Sequence, residues 1–174
     1  MNAPRRPLHG CVPPGLDIAA YCRINRVRFV RKDASRFMRF LGWLLGLFGT
    51  TSFMRYAWTT IGRTIYVPTE ADLTLGVNAD GVGFGDRYRS SLEHEIYHVE
   101  QYLRLWHLHS VLYLLFPVPF FLAWYRWWAE RWAFLHQIRH YNLSIDLVVS
   151  TLWGIYGWPW PRTWMKRWFE RRAA

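Results

Sequence analysis

Polar, charged segments alternate along the chain with apolar runs that end on arginine, and this punctuation predicts most of the elements. Met1–Arg36 is rich in Pro and Arg and reads as a basic amino-terminal arm or an edge strand, because Arg26–Arg31 (RVRFVR) partly alternates. Phe40–Met54 (FLGWLLGLFGTTSFM) carries no charge and lies between Arg39 and Arg55. It is shorter than the roughly 20 apolar residues of an ordinary spanning helix. The β-branched pattern of Thr59–Pro68 (TTIGRTIYVP) predicts a strand, and Gly76–Asp86 (GVNADGVGFGD) predicts turns or a short hairpin. Within it, Gly81-Val82-Gly83-Phe84-Gly85 has neither the spacing nor the following Lys-Ser/Thr of a phosphate-binding loop.

Ser90 followed by Glu93 has the capping-box pattern and predicts a helix over about 90–107, with Ile96, Val99, Leu103 and Trp106 forming its apolar stripe. A second apolar run, Ser110–Tyr125, contains Pro117 and Pro119, which break a regular helix. A further helix is expected after them, over about 124–140. The organisation is then an arm (1–36), one central domain (37–145) and a Trp/Arg-rich carboxy-terminal segment (146–174). The expected class is α+β, predominantly helical, with a small sheet and aromatic-rich apolar segments.

The candidate chemistry lies in His94-Glu95-Ile96-Tyr97-His98. Residues four apart on a helix share a face, so His94 and His98 can offer two imidazoles to one metal ion. Glu95 is rotated off that pair, where a carboxylate can act as general base toward a water that the metal activates. A catalytic zinc normally takes three protein ligands. Arg104 occupies the position six beyond His98, so a third His at that spacing is excluded. Glu130 is the only acidic residue between Glu100 and Asp146 and is the first candidate; Asp146 and Glu170 are weaker ones. The alternative for Glu130 is a helical ion pair with Arg126 or an exposed position. His107 and His109 read as packing or surface residues, and His136 and His140 follow Glu130 by more than one turn. His140 or Tyr141 would reach an oxyanion only if the helix bent back.

The stretch His94–Gln101, HEIYHVEQ, resembles the His-Glu-x-x-His-x-x-Gln form of small bacterial and phage zincin-like domains. In these a later helix carries a Glu followed three residues on by a small residue, which Glu130 and Ala133 match. The resemblance covers about Thr59–His140. It implies a gluzincin-like site with Zn2+ held by His94, His98 and Glu130, general-base action by Glu95, and a structural role for Gln101.

Composition widens the range of partners. Lys and Arg outnumber Asp and Glu by 22 to 12, giving a net charge of +10 that favours anionic lipid, nucleic acid or acidic protein surfaces. The 12 Trp, 10 Tyr and 11 Phe exceed the needs of so small a core and place some rings at a surface or interface. In the tail, Trp164 and Trp168 lie one turn apart among Arg162, Lys166, Arg167, Arg171 and Arg172, as in a basic helix lying on anionic lipid. Nucleic acid fits the same mixture less well, because no reading module accompanies it. Cys11 and Cys22 alone make a disulfide framework unexpected. Met1–Gly10 lacks the apolar core of a secretory leader, so a cytoplasmic location, or the cytoplasmic face of a membrane, is expected. The expected function is peptide-bond hydrolysis by a zinc metallopeptidase, with the strand near Arg63–Val67 offering its edge to an extended substrate. The alternative is a non-enzymatic cationic membrane-surface or assembly protein in which the motif helix is structural.

Overall fold

The computed structural model describes residues 17–47, 52–71, 85–105, 108, 121–156 and 161–173. Among them it is mostly helical with a small three-stranded sheet. The chain divides into two compact units, one within Leu16–Glu95 and one within Ile96–Ala174.

In the first unit, Asp17 opens α1 (Ile18–Asn25) by accepting the Ala20 N–H at 2.9 Å, and Arg26, in the left-handed region at φ 55°, closes it. The chain then enters β1 (Arg28–Arg31), passes through a 3-10 turn (Lys32–Ala34), and forms α2 (Arg36–Leu47) and α3 (Ser52–Arg55). Helix α2 lies so close to Met54 that a Cβ on Gly42 would stand 2.5 Å from the Met54 Cγ, which explains the glycine in that apolar run.

The strand expected over Thr59–Pro68 is instead a hairpin, β2 (Thr59–Ile61) and β3 (Thr64–Val67). Gly62 adopts φ 63° between them, and glycine at the first central position is the signature of a tight II′ turn. The sheet order is β1-β3-β2, with β1 parallel and β2 antiparallel to β3. Arg28–Arg31 is therefore an edge strand. β3 is hydrogen-bonded on both sides, so the expected edge pairing of a substrate at Arg63–Val67 is corrected: that strand has no free edge. Along β3, Ile65 and Val67 are fully buried while Thr64 and Tyr66 are half-buried. Val67 and Leu92 form a small core covered by Ile18, Phe29, Trp58, Ala71 and Tyr88.

Helix α4 (Gly85–Leu105) carries the motif and belongs to both units, since the division falls between Glu95 and Ile96. It begins before Ser90, so that residue lies inside the helix and does not cap it. Glu93 accordingly pairs with Arg89 one turn back, at 3.1 Å.

The second unit continues with α5 (Phe121–Tyr141), α6 (Ile145–Tyr156) and α7 (Arg162–Ala173). Its core joins Trp127, Phe134, Leu135 and Ile138 of α5 to Val148, Val149 and Leu152 of α6 and to Met165 and Phe169 of α7. At roughly 1.5–3 kcal/mol for each fully buried large apolar side chain, this cluster contributes substantially to the stability of the unit. Asn142, at φ 51°, ends α5 and lets the chain reverse into α6. The tail tryptophans turn toward this core: Trp164 and Trp168 place their rings 5.1 and 5.4 Å from that of Trp127. Among the described residues no helix is long and apolar enough to cross a membrane. The expected turns at 76–84, residues 110–120 of the second apolar run, Cys11, Trp106, His107 and His109 lie outside the described residues.

Candidate metal centre

Helix α4 presents His94 and His98 one turn apart, and α5 supplies Glu130. All three are buried, and each offers a ligand atom within 4.8 Å of the others. The group can hold a metal ion. The separation between His98 Nε2 and Glu130 Oε2 is 3.5 Å. Two donors at roughly 2.0–2.1 Å from one tetrahedral ion stand about 3.3 Å apart, so this spacing is compatible with ligation of a common ion as well as with an ion pair. The donor set is chemically apt as well. Glu130 is 1 % exposed, and a carboxylate so removed from water is destabilised by several kcal/mol unless a positive charge compensates it. This burial excludes the exposed alternative for Glu130.

Gln101, one turn beyond His98, sets the chemistry of that imidazole. Its side-chain N–H donates to the Ala129 carbonyl at 2.8 Å, and a carbonyl can only accept, so the amide orientation is fixed. The Gln101 Oε1 then faces His98 Nδ1 at 2.9 Å and requires a proton there. Neutral His98 is thus the Nδ1–H tautomer, with its lone pair on Nε2, 3.5 Å from Glu130 Oε2. Gln101 also ties α4 to the α5 turn that carries Glu130. Ala129 and Ala133, both fully buried, keep that turn free of bulk.

Glu95 is buried and separately anchored. Thr60 Oγ1, on β2, donates to Glu95 Oε2 at 2.7 Å. Thr60 is the cross-strand partner of Ile65, so sheet register places this hydroxyl. Lys32, just after β1, is completely buried. Its ammonium donates to the Phe53 carbonyl at 2.8 Å and sits 3.5 Å from the centre of the Phe53 ring. Burial pushes the Lys32 pKa down to about 7, against the opposing pull of the Glu95 carboxylate.

Thr60 and Lys32 escape the motif. A hydroxyl in a strand has no sequence signature of its own, whereas Lys32 carries a faint one: it and Lys166 are the only lysines in a chain that otherwise uses arginine. The weaker ligand candidates lie elsewhere. Asp146 pairs with Lys166 at 2.7 Å and Glu170 is exposed. His136 is buried with its ring 4.5 Å from His140 and is not part of the ligand group. Comparison with known proteins finds no matching family model, no matching curated protein and no matching solved structure.

Two outcomes follow from this geometry. Gln101→Ala frees the His98 ring and should weaken metal binding by about 10–100-fold, as measured by competition against a chromogenic chelator; unchanged affinity contradicts the assigned brace. Lys32 adds a pH-dependent contribution. Below pH 7 it is charged in both folded and unfolded chains, and the fold bears the full burial penalty. Between about 7 and the ordinary 10.5 the unfolded chain retains a proton that the folded chain has released, so stability rises with pH and this gain levels off above 10.5. In urea unfolding, the wild type should therefore gain on Lys32→Met across that window; a pH-independent difference would count against the buried ammonium.

Proposed function

We propose that the protein is a zinc-dependent hydrolase acting on peptide bonds, with His94, His98 and Glu130 as ligands and Glu95 as general base. The observation that carries the reading is the buried His-His-Glu group, whose second histidine gives its Nδ1–H to Gln101 and turns Nε2 toward Glu130. Two histidines and one glutamate form a ligand set that catalytic zinc sites use, and they leave a coordination position for water or substrate. Zinc, when bound, lowers the pKa of water toward neutrality and polarises a carbonyl.

The remaining work belongs to the chain. Glu130 and the two imidazoles provide one negative charge and two neutral donors, leaving net positive charge with which to polarise a substrate oxygen. Glu95 takes the proton. Thr60 donates to its Oε2, which steadies the carboxylate and assigns Oε1 as the atom that accepts. Lys32 lies within electrostatic range of the same carboxylate. The proton held on Glu95 Oε1 is then available for the departing amine, so one residue serves as base and acid in turn.

The test joins metal analysis to cleavage of a peptide library. The wild type should hold one equivalent of zinc, and His94→Ala, His98→Ala and Glu130→Ala should each lose it. Glu95→Gln should keep the metal and lower cleavage by about 10²–10⁴-fold. Zinc retained by all three ligand variants contradicts the site, and cleavage by Glu95→Gln at the wild-type rate contradicts the assigned base.

A further inference from the structure

Helix α2 is apolar on more of its circumference than it buries. Its inward side is Met38, which is completely buried, and Gly42, set against Met54. The opposite side carries Phe40, Trp43 and Leu47 at 57, 61 and 64 % exposure, with Phe37 on its flank also exposed. These three recur at the i, i+3, i+7 spacing of one helical stripe, and the Phe40 and Trp43 ring centres stand 5.9 Å apart. Arg36 and Arg39, both exposed, bracket the start of the stripe, and the helix contains no acidic residue.

We propose that α2 docks in the plane of an anionic phospholipid surface, its Phe40-Trp43-Leu47 stripe entering the boundary between headgroups and acyl chains and Arg36 and Arg39 binding lipid phosphates. Twelve residues of helix span about 18 Å, well short of the roughly 30 Å of a hydrocarbon core, so the helix lies on the membrane and does not cross it. Charge selects the occupant. A chain of net charge +10 repels a second copy of itself, and Arg36 and Arg39 would meet their like across such a contact. Anionic headgroups complement these charges, and a ring with an apolar body and a polar edge, as in Trp43, suits the interface. The exposed apolar surface of α7 is smaller: Trp168 is half-buried, and Trp164, 42 % exposed, has its ring 5.1 Å from that of Trp127.

Co-sedimentation with vesicles of phosphatidylcholine and phosphatidylglycerol, against phosphatidylcholine alone, tests this with the full chain. Binding should require the anionic lipid and fall with salt. Phe40→Ala/Trp43→Ala should weaken partitioning by on the order of tenfold per ring. Arg36→Gln/Arg39→Gln should weaken it by about fivefold per charge, and more than Arg167→Gln/Arg171→Gln, which removes the same charge from α7. Brominated anionic vesicles should quench the wild type more than Trp43→Phe. All replaced side chains are exposed, so thermal unfolding and metal content should match the wild type and exclude misfolding as the cause. Three results overturn the proposal: no binding to anionic vesicles, equal binding by Phe40→Ala/Trp43→Ala, or a self-association in sedimentation velocity that this variant abolishes while vesicle binding stays intact.

Discussion

A carboxylate almost wholly withdrawn from water is the constraint on which the candidate centre depends. Glu130 sits among the aromatic and apolar side chains of α5, where an ionised group is stable only beside compensating charge or strong donors. Two imidazoles from α4 stand beside it, and a neutral imidazole does not cancel a charge. Protonating His98 at Nε2 would do so, since the Nδ1–H bond to Gln101 is open to imidazole and imidazolium alike; with Nε2 unprotonated, its lone pair can go to a metal ion instead. A divalent cation held by the three groups would likewise neutralise the carboxylate, with His98 Nε2 as one of its donors.

The elements around the group hold its parts in register. Gln101 joins His98 to the backbone immediately before Glu130, so one amide controls a ring tautomer and the approach of a second helix. Glu95 is governed from the sheet, through Thr60, whose place follows from the β2–β3 pairing and the turn at Gly62. The candidate base is thus anchored from the sheet, while Gln101 braces His98 and the turn that bears Glu130. Lys32 is another buried ionisable group of the first unit, and its depressed pKa shows the cost of holding an ion away from water.

Much of this was legible in the residues because helical periodicity is a local property. The four-residue spacing of His94 and His98 determines their common face, and elimination reaches Glu130 because so few acidic residues follow the motif. The start of α4 was misplaced because Ser90 and Glu93 match a capping box, a short-range pattern that cannot tell a helix end from a helix interior. The Thr59–Pro68 hairpin resembles one strand in sequence because Gly62-Arg63 is a weaker turn signal than Asn-Gly, and the β-branched residues on either side continue the pattern. Thr60 and Lys32 were out of reach for a different reason: their contacts with Glu95 depend on strand pairing and on burial between elements distant in sequence. In the tail, Trp and Arg at helical spacing suit a lipid surface and a partner helix alike, and Trp164 combines the two, packing on Trp127 while keeping an exposed face.

The central claim is that one metal ion is shared by His94, His98 and Glu130. It is tested most directly by an anomalous difference map at the zinc absorption edge, from crystals of the zinc-loaded protein. The account predicts a single strong peak about 2.0–2.2 Å from one atom of each of the three side chains, with Gln101 still bridging His98 to Ala129. A peak at His136 and His140, or none among the three ligands, would contradict it.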